Sequence, residues 1–193
     1  MKRICIFCGS SQGNKPAYVE AAKNAGGELA RRGIGLVYGG GNVGLMGVVA
    51  DAVLAAGGHV TGVIPQALMG RELGHRGLPD LRIVKTMHER KALMAELADG
   101  FVALPGGIGT FDEFFEILTW AQLGLHDKPC ALLNVNGFFD PLLRLVDHAI
   151  DEGFIKPRQR DFTIVDSDFG TLLERMAHYH VPYEPKWITK ENI

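Results

Sequence analysis

The sequence predicts an α/β fold, a Rossmann-like, doubly wound and mostly parallel sheet in a single domain. Short apolar runs alternate with longer runs of helical periodicity almost throughout the 193 residues. Most apolar runs are continuous, which is typical of parallel strands covered on both faces. Several runs end in glycine-rich turns, at the edge where such sheets bind ligands.

The elements follow the β–α order of this fold class. The predicted strands are short and apolar, and span residues 4–8, 34–38, 59–64, 81–84, 100–104, 130–135 and 162–165. The predicted helices have apolar residues at spacings of three and four, and span residues 16–32, 44–56, 87–98, 110–123, 139–152 and 168–180. A glycine- and charge-rich loop at 70–79 separates the third and fourth strands. The pattern predicts a domain over residues 1–180 and a C-terminal tail over 181–193, which has two prolines and mixed charge.

Charge and hydropathy limit the partners of the chain. The formal net charge is −2 and there is no long basic run, which argues against a nucleic-acid partner. No apolar stretch approaches the length of a membrane span. The first apolar run ends at Gly9, which is too soon for a signal peptide. We therefore expect a cytoplasmic protein with no membrane partner.

The three cysteines do not form a disulfide framework, because they are odd in number and widely separated. Cys5 and Cys8 make a C-x-x-C pattern, but redox motifs of this type begin helices, whereas this one lies in a strand pattern. Residues three apart on a strand face opposite sides of the sheet. The pattern therefore indicates core packing and loop lining.

The segment at 105–113, PGGIGTFDE, is the most informative motif. It lies between a predicted strand and a predicted helix, where backbone N–H groups and the helix dipole favour an anion. Thr110 can cap the helix and donate to a phosphate oxygen. Asp112 and Glu113 can complement the helix dipole, or can act on a group attached to the phosphate, and composition does not separate these readings. Three glycines would let the backbone approach a ligand, namely Gly106, Gly107 and Gly109.

A second glycine turn, GGGNVG at 39–44, fits G-x-G-x-x-G between a strand and a helix. A dinucleotide site also needs an acidic residue near the end of the next strand, but that strand runs into Pro65 and Gln66. We interpret the turn, with Gly40 and Gly41, as a mononucleotide or phosphate turn. A tight structural turn and, less favoured, an NAD site remain open.

Arg90 lies among apolar residues of a predicted helix, on the face of Met87 and Met94. A cation there is costly unless it has a charged partner, and a phosphate or the Glu113 carboxylate would serve. The alternative is that Arg90 extends past the core edge to solvent. Lys91 either occupies a solvated face or contacts phosphate as a point charge.

The helix after the PGG turn is unusually apolar. Its apolar positions are Phe111, Phe114, Phe115, Ile117, Leu118, Trp120 and Ala121. One sheet face cannot cover so wide a stripe, so other helices or a second subunit must cover it. We expect a homodimer.

The chain resembles the LONELY GUY family of cytokinin riboside 5′-monophosphate phosphoribohydrolases, which were formerly labelled lysine decarboxylases. The resemblance covers nearly the whole chain and rests on residues 8–10 (CGS), 39–41 (GGG), 44–47 (GLMG), 87–91 (MHERK) and 105–113, which match PGGxGTxxE. It implies a Rossmann-like homodimer that hydrolyses the N-glycosidic bond of a nucleoside 5′-monophosphate to free base and ribose 5-phosphate. A decarboxylase would need a Schiff-base lysine for pyridoxal phosphate, and nothing in the sequence specifies one.

The resemblance also implies roles for individual residues. Arg90 and Glu113 would be the catalytic pair of a nucleotide-binding domain over residues 1–180. The nucleotide would be held by Lys91, Gly106, Gly107, Gly109, Thr110 and Thr119, with Glu72 and the turns of Gly9, Ser10, Gly40 and Gly41 lining the site. We expect no cofactor and no metal. The preferred base, cytokinin or adenine, stays open, and the alternative is a nucleotide-binding sensor or carrier without turnover.

Overall fold

The computed structural model describes residues 1–69 and 74–181. The strands are β1 Arg3–Phe7, β2 Gly35–Tyr38, β3 Val60–Pro65, β4 Asp80–Val84, β5 Gly100–Ala103, β6 Cys130–Leu133 and β7 Thr163–Asp166. The α-helices are α1 Pro16–Arg31, α2 Gly44–Ala55, α3 Met87–Leu97, α4 Ile108–Gln122, α5 Asp140–Asp151 and α6 Phe169–Ala177. Short 3-10 helices span Gln66–Leu68, Val135–Gly137 and Pro157–Phe162.

The strands form one parallel sheet in the order β4-β3-β2-β1-β5-β6-β7. The chain winds outward from β1 in one direction as far as β4, and then crosses to β5 on the other side of β1. The register pairs Phe7 with Ala103, so β1 and β5 end side by side. Ligands of doubly wound sheets bind at this reversal point, beyond the carboxyl ends of the strands.

Helices cover both faces of the sheet, which explains why inner strands such as β5 and β6 are apolar and fully buried. One core layer packs α1, α2 and α6 through residues such as Leu29, Val49 and Leu172. The other packs α3 and α4 through residues such as Met94 and Phe114. The predicted α/β doubly wound fold is therefore confirmed.

The two cysteines of the C-x-x-C pattern lie on opposite faces of the sheet. Cys5 belongs to the core layer under α3 and α4, and Cys8 belongs to the layer under α1 and α2. Both thiols are free and buried. The prediction that they serve core packing is confirmed.

The predicted elements all exist, but several ends differ. Residue 8 lies beyond β1, residues 134–135 lie beyond β6, and α6 ends at Ala177 rather than at 180. The helix predicted to begin at 110 begins at Ile108. The 3-10 helix Pro157–Phe162 was not predicted, because so short a helix lacks a helical period. The tail beyond Val181 lies outside the described residues, as does Glu72 in the predicted loop.

Membrane insertion receives no support from the helices. In residues 1–69 and 74–181, every helix is too short or too polar to cross a bilayer.

Candidate active site

The turns after β1 and β5 meet at the reversal point of the sheet. The Gly9 N–H donates to the Pro105 carbonyl at 3.1 Å, and the Gly9 carbonyl accepts from the Leu45 N–H at 2.9 Å. A Cβ on Gly106 would lie 2.8 Å from the Gly9 nitrogen and would overlap the Thr110 hydroxyl. Glycine is therefore required at position 106 for the two turns to approach this closely.

The turn that starts α2 completes this junction. Gly44 has a φ of +60°, which is strained for other residues. A Cβ on Gly44 would also overlap the backbone of Ser10. Three glycine turns thus converge above β1, β2 and β5, as their position at the strand ends predicted.

A cavity of about 220 Å³ opens where the β1 and β5 turns meet. Its walls include Gly9, Ser10, Gly106 and Gly107, with the rings of Tyr18 and Phe138 on one side. Gly107 is the N-cap of α4 and supplies no capping side chain. The first N–H groups of α4 have no acceptor within the helix and are available to an anion at this point.

Thr110 does not cap α4, contrary to the prediction. It lies inside the first turn of the helix, is only 4% exposed, and packs under Gly106. The prediction failed because Gly107 can itself adopt the extended N-cap conformation, which moves the start of the helix two residues earlier.

The start of α3 is fixed by two side-chain hydrogen bonds. The N-cap Thr86 Oγ1 accepts from the Glu89 N–H at 3.1 Å, and Glu89 Oε2 accepts from the Lys85 N–H at 2.8 Å. Arg90 follows on the inner side of this first turn and is 6% exposed. Of the two interpretations left open by the sequence, the structure favours the one with a charged partner, because Arg90 is buried and lies 3.7 Å from Glu113.

Arg90 is held by two strand ends and one carboxylate. Nε donates to the Val63 carbonyl at 3.1 Å, and Nη2 donates to the Gly39 carbonyl at 3.0 Å. Nη1 lies 3.7 Å from Glu113 Oε1. A Cβ on Gly39 would overlap Nη2, so the guanidinium requires glycine there. Sequence reasoning missed Gly39, although the run of three glycines was a signal for it.

Glu113 lies in the first turns of α4 with its side chain 14% exposed. Burial raises the pKa of the Cys5 and Cys8 thiols above the usual range, and the negative charge of Glu113 raises each further. Both thiols are therefore neutral, and the low exposure of Glu113 strengthens its interactions with a nearby charge.

Lys91 joins α3 to α4 beside this pair. Its Nζ lies 2.8 Å from Asp112 Oδ2 and 3.2 Å from Glu116 Oε2, and the side chain is 13% exposed. Burial lowers the pKa of Lys91, but the hydrogen bonds to both carboxylates outweigh it, so the pKa is raised overall. The structure places Lys91 in an ion-pair cluster rather than on a solvated face.

The other predicted residues are more dispersed. Gly40 has a φ of +76°, and Gly41 forms an isolated bridge with Gly74. Thr119 lies on the exposed side of α4, where its hydroxyl donates to the Phe115 carbonyl at 2.7 Å. Within the described chain it does not join the group around Arg90.

The outer side of α4 carries a shallow apolar groove of about 410 Å³. It is lined by Ile108, Phe111, Phe115 and Trp120, and Ile108 is 81% exposed. The apolar stripe predicted on this helix is thus partly uncovered in the single chain.

The fold and site define a Rossmann-like α/β protein with a glycine junction at the reversal point of its sheet and a buried Arg–Glu pair beside it. Residues 46–176 match the family model described as "Possible lysine decarboxylase". The chain is 51% identical over 183 residues to a cytokinin riboside 5′-monophosphate phosphoribohydrolase of Arabidopsis thaliana, covering 95% of this chain and 84% of that protein. A rice protein of the same name, from Oryza sativa subsp. japonica, is also 51% identical over 183 residues, covering 95% and 76%. The chain belongs to the LONELY GUY family, as its motifs indicated.

Solved structures with the same fold are more distant in sequence. The molybdenum cofactor binding protein of Rippkaea orientalis superposes with a TM-score of 0.69 at 20% identity, covering 92% of this chain and 97% of that one. The molybdenum cofactor carrier protein of Chlamydomonas reinhardtii gives 0.67 at 20% identity, covering 92% and 98%. These similarities establish the fold and nothing further.

Proposed function

We propose that this chain hydrolyses the N-glycosidic bond of nucleoside 5′-monophosphates, releasing the free base and ribose 5-phosphate. The substrates are cytokinin riboside 5′-monophosphates, as named for its relatives, and AMP. The observation that carries the proposal is the buried pair of Arg90 and Glu113, 3.7 Å apart beside the glycine junction.

The glycine junction is the proposed phosphate site. Bare N–H groups at the start of α4 and the positive end of its dipole favour a dianion at Gly107. The open space at Gly107 and Gly109, where a Cβ would meet no atom within 4 Å, leaves room for a phosphate against the backbone. Binding energy at this remote group can orient the ribose for reaction.

Glu113 is the proposed stabiliser of the reacting ribose. Glycosidic cleavage develops positive charge on the sugar ring, so a nearby carboxylate is favoured more as the bond breaks. The same carboxylate can orient or deprotonate the attacking water. Arg90 is too basic to release a proton, so its role is to orient Glu113 or to donate a hydrogen bond toward the departing base.

Lysine decarboxylation fits this site poorly. A Schiff-base lysine must become a neutral amine before it attacks a carbonyl. The pKa of Lys91, the lysine beside the Arg–Glu pair, is raised by its hydrogen bonds to Asp112 and Glu116, which favours the ammonium form. Lys91 instead supplies positive charge to the nucleotide site.

We propose that the protein forms a homodimer and is located in the cytoplasm. The exposed apolar groove of Ile108 and Phe115 on α4 is the surface on which a second subunit would pack. Thr119 borders the same groove, so its proposed nucleotide contact requires this assembly. We assign the nucleotide-binding catalytic domain to residues 1–180 and a tail to 181–193.

The test is a chromatographic assay for released base. The purified protein is incubated with AMP, isopentenyladenosine 5′-monophosphate and the two unphosphorylated nucleosides. We expect base from the monophosphates only, and the two rates rank the bases. Saturable AMP binding with no base from any substrate would support a sensor or carrier instead, and NAD binding would support the dinucleotide alternative.

A further inference from the structure

We propose that Asp51 and His75 form a clamp that holds residues 74–78 on the glycine turn at 39–44 and thereby positions Arg90. His75 is a positioning residue that does not touch the substrate. Its effect on turnover rests on the proposed phosphoribohydrolase function, whereas the clamp itself can be measured without turnover.

The ring of His75 is held in one orientation. The residue is 7% exposed, and Nε2 lies 2.9 Å from Asp51 Oδ1 on α2. The carboxylate accepts from Nε2, which fixes the ring proton on that nitrogen. Since Asp51 belongs to a rigid helix that packs on α1, the ring anchors its own segment to the body of the fold.

Backbone hydrogen bonds connect the segment of His75 to the glycine turn at 39–44. The His75 N–H donates to the Gly40 carbonyl at 2.9 Å, and Gly74 forms an antiparallel bridge with Gly41. Gly40 has a φ of +76°, which glycine adopts without strain but which leaves its peptides free to take other conformations, so the hydrogen bond from His75 restricts a flexible position.

The same glycine turn also holds the guanidinium of Arg90. The Gly39 carbonyl, one residue before Gly40, accepts from Arg90 Nη2 at 3.0 Å. Arg90 Nη1 faces Glu113 at 3.7 Å. A shift of the Gly39–Gly40 peptide therefore changes the distance between the two groups assigned to the reaction.

Packing alone does not account for an imidazole at this position. The Nδ1 atom of His75 is buried and has no hydrogen-bond partner among residues 1–69 and 74–181. Burial of such an atom is unfavourable, and a leucine would fill similar space without it. The contact with Asp51 is the feature of the side chain that leucine cannot reproduce.

The experiment compares His75→Leu, His75→Gln and Asp51→Ala with Asp147→Ala, an exposed aspartate on α5, as the control. For AMP hydrolysis we expect His75→Leu and Asp51→Ala to lower kcat roughly tenfold, with KM within about twofold of the wild type. Their double variant should show no further loss. His75→Gln should keep at least about half of the wild-type kcat, because its amide can still donate to Asp51.

A kcat within about twofold of the wild type in both His75→Leu and Asp51→Ala would overturn the proposal, as would equal losses in the Leu and Gln variants. Hydrogen exchange separates failure of the clamp from failure of the proposed function. Even if the wild type released no base, Asp51→Ala should accelerate exchange of the amides over residues 39–44 and 74–78. Unchanged exchange there would refute the clamp, whatever the activity.

Discussion

Arg90 Nη1 and Glu113 Oε1 face each other at 3.7 Å, although the two residues are 23 positions apart in the sequence. Each side chain comes from the first turns of a helix, α3 or α4, and both helices begin at the same edge of the sheet. Lys91 ties the helices together through Asp112 and Glu116. The pair is thus placed by the parallel βα architecture and held by a neighbouring ion cluster.

Replacing Arg90 with lysine should impair both stability and turnover. A single ammonium cannot reach the Val63 and Gly39 carbonyls and Glu113 together, so buried acceptors lose partners. We expect the free energy of unfolding to fall by about 2 kcal/mol and kcat to fall by roughly 100-fold. Denaturant titration and AMP hydrolysis measure the two effects.

The control for this variant is Arg31→Lys, since Arg31 forms a solvent-exposed pair with Glu28 on α1. It should change both quantities little, because a solvent-exposed ion pair adds little to stability. Wild-type kcat in Arg90→Lys would remove Arg90 from the mechanism.

Replacing Gly39 with alanine should displace the guanidinium of Arg90 without removing any charged group. The added Cβ would overlap Arg90 Nη2. We expect a loss of kcat of roughly 10- to 100-fold, measured on the folded variant. Gly27→Ala is the matched control, because its Cβ meets no atom within 4 Å on α1. It should keep full activity and gain about 0.5–1 kcal/mol in stability. Equal activity of the two variants would contradict the role of Gly39.

The fold and the convergence of the glycine turns at the candidate site could be predicted because both depend on local patterns. Apolar runs, helical periods and glycine turns are each readable within a few residues. The ion pair of Arg90 with Glu113 could be predicted because an arginine between Met87 and Met94 needs an anion nearby. The helix after the PGG turn, α4, carries such an anion in Glu113.

Other features of the site depend on tertiary contacts that leave no pattern. The acceptors of Arg90 are carbonyls, which every residue carries, so Val63 could not be recognised. His75 and Asp51 lie on separate elements, and their contact follows only from the packing of a loop on α2. The helix start at Gly107 depended on a backbone conformation that composition does not specify.

Replacing Gly107 with alanine tests the proposed phosphate site. The protein itself leaves the space open, with no atom within 4 Å of the added Cβ and a φ of −100° that alanine tolerates. We expect a small fall in the melting temperature, because alanine is a poorer N-cap than glycine. The KM for AMP should rise roughly tenfold, because the methyl group would meet the phosphate. An unchanged KM would place the phosphate elsewhere.

Glu28 on α1 should make the free energy of unfolding decrease at acidic pH. Hydrogen bonds from Arg31 and Arg32 lower the pKa of the Glu28 carboxyl from 4.5 to about 2. Since the pKa is lowered by folding, the carboxylate contributes stability above pH 4.5, and this contribution disappears as the pH falls toward 2. Glu28→Gln should therefore be less stable than wild type at pH 7, by less than about 1 kcal/mol for so exposed a cluster. Urea titrations at pH 7 and pH 3 should show the difference shrinking, and a constant difference would contradict this origin.

The most direct test of the central claim is product analysis with Glu113→Gln, which keeps the shape of the side chain and removes its charge. The wild type should convert AMP to equimolar adenine and ribose 5-phosphate. Glu113→Gln should bind AMP with unchanged affinity and release adenine at least about 100-fold more slowly. Glu96→Gln, at the far end of α3, should match the wild type. Wild-type turnover in Glu113→Gln would contradict the assignment of the Arg90–Glu113 pair as the reaction centre.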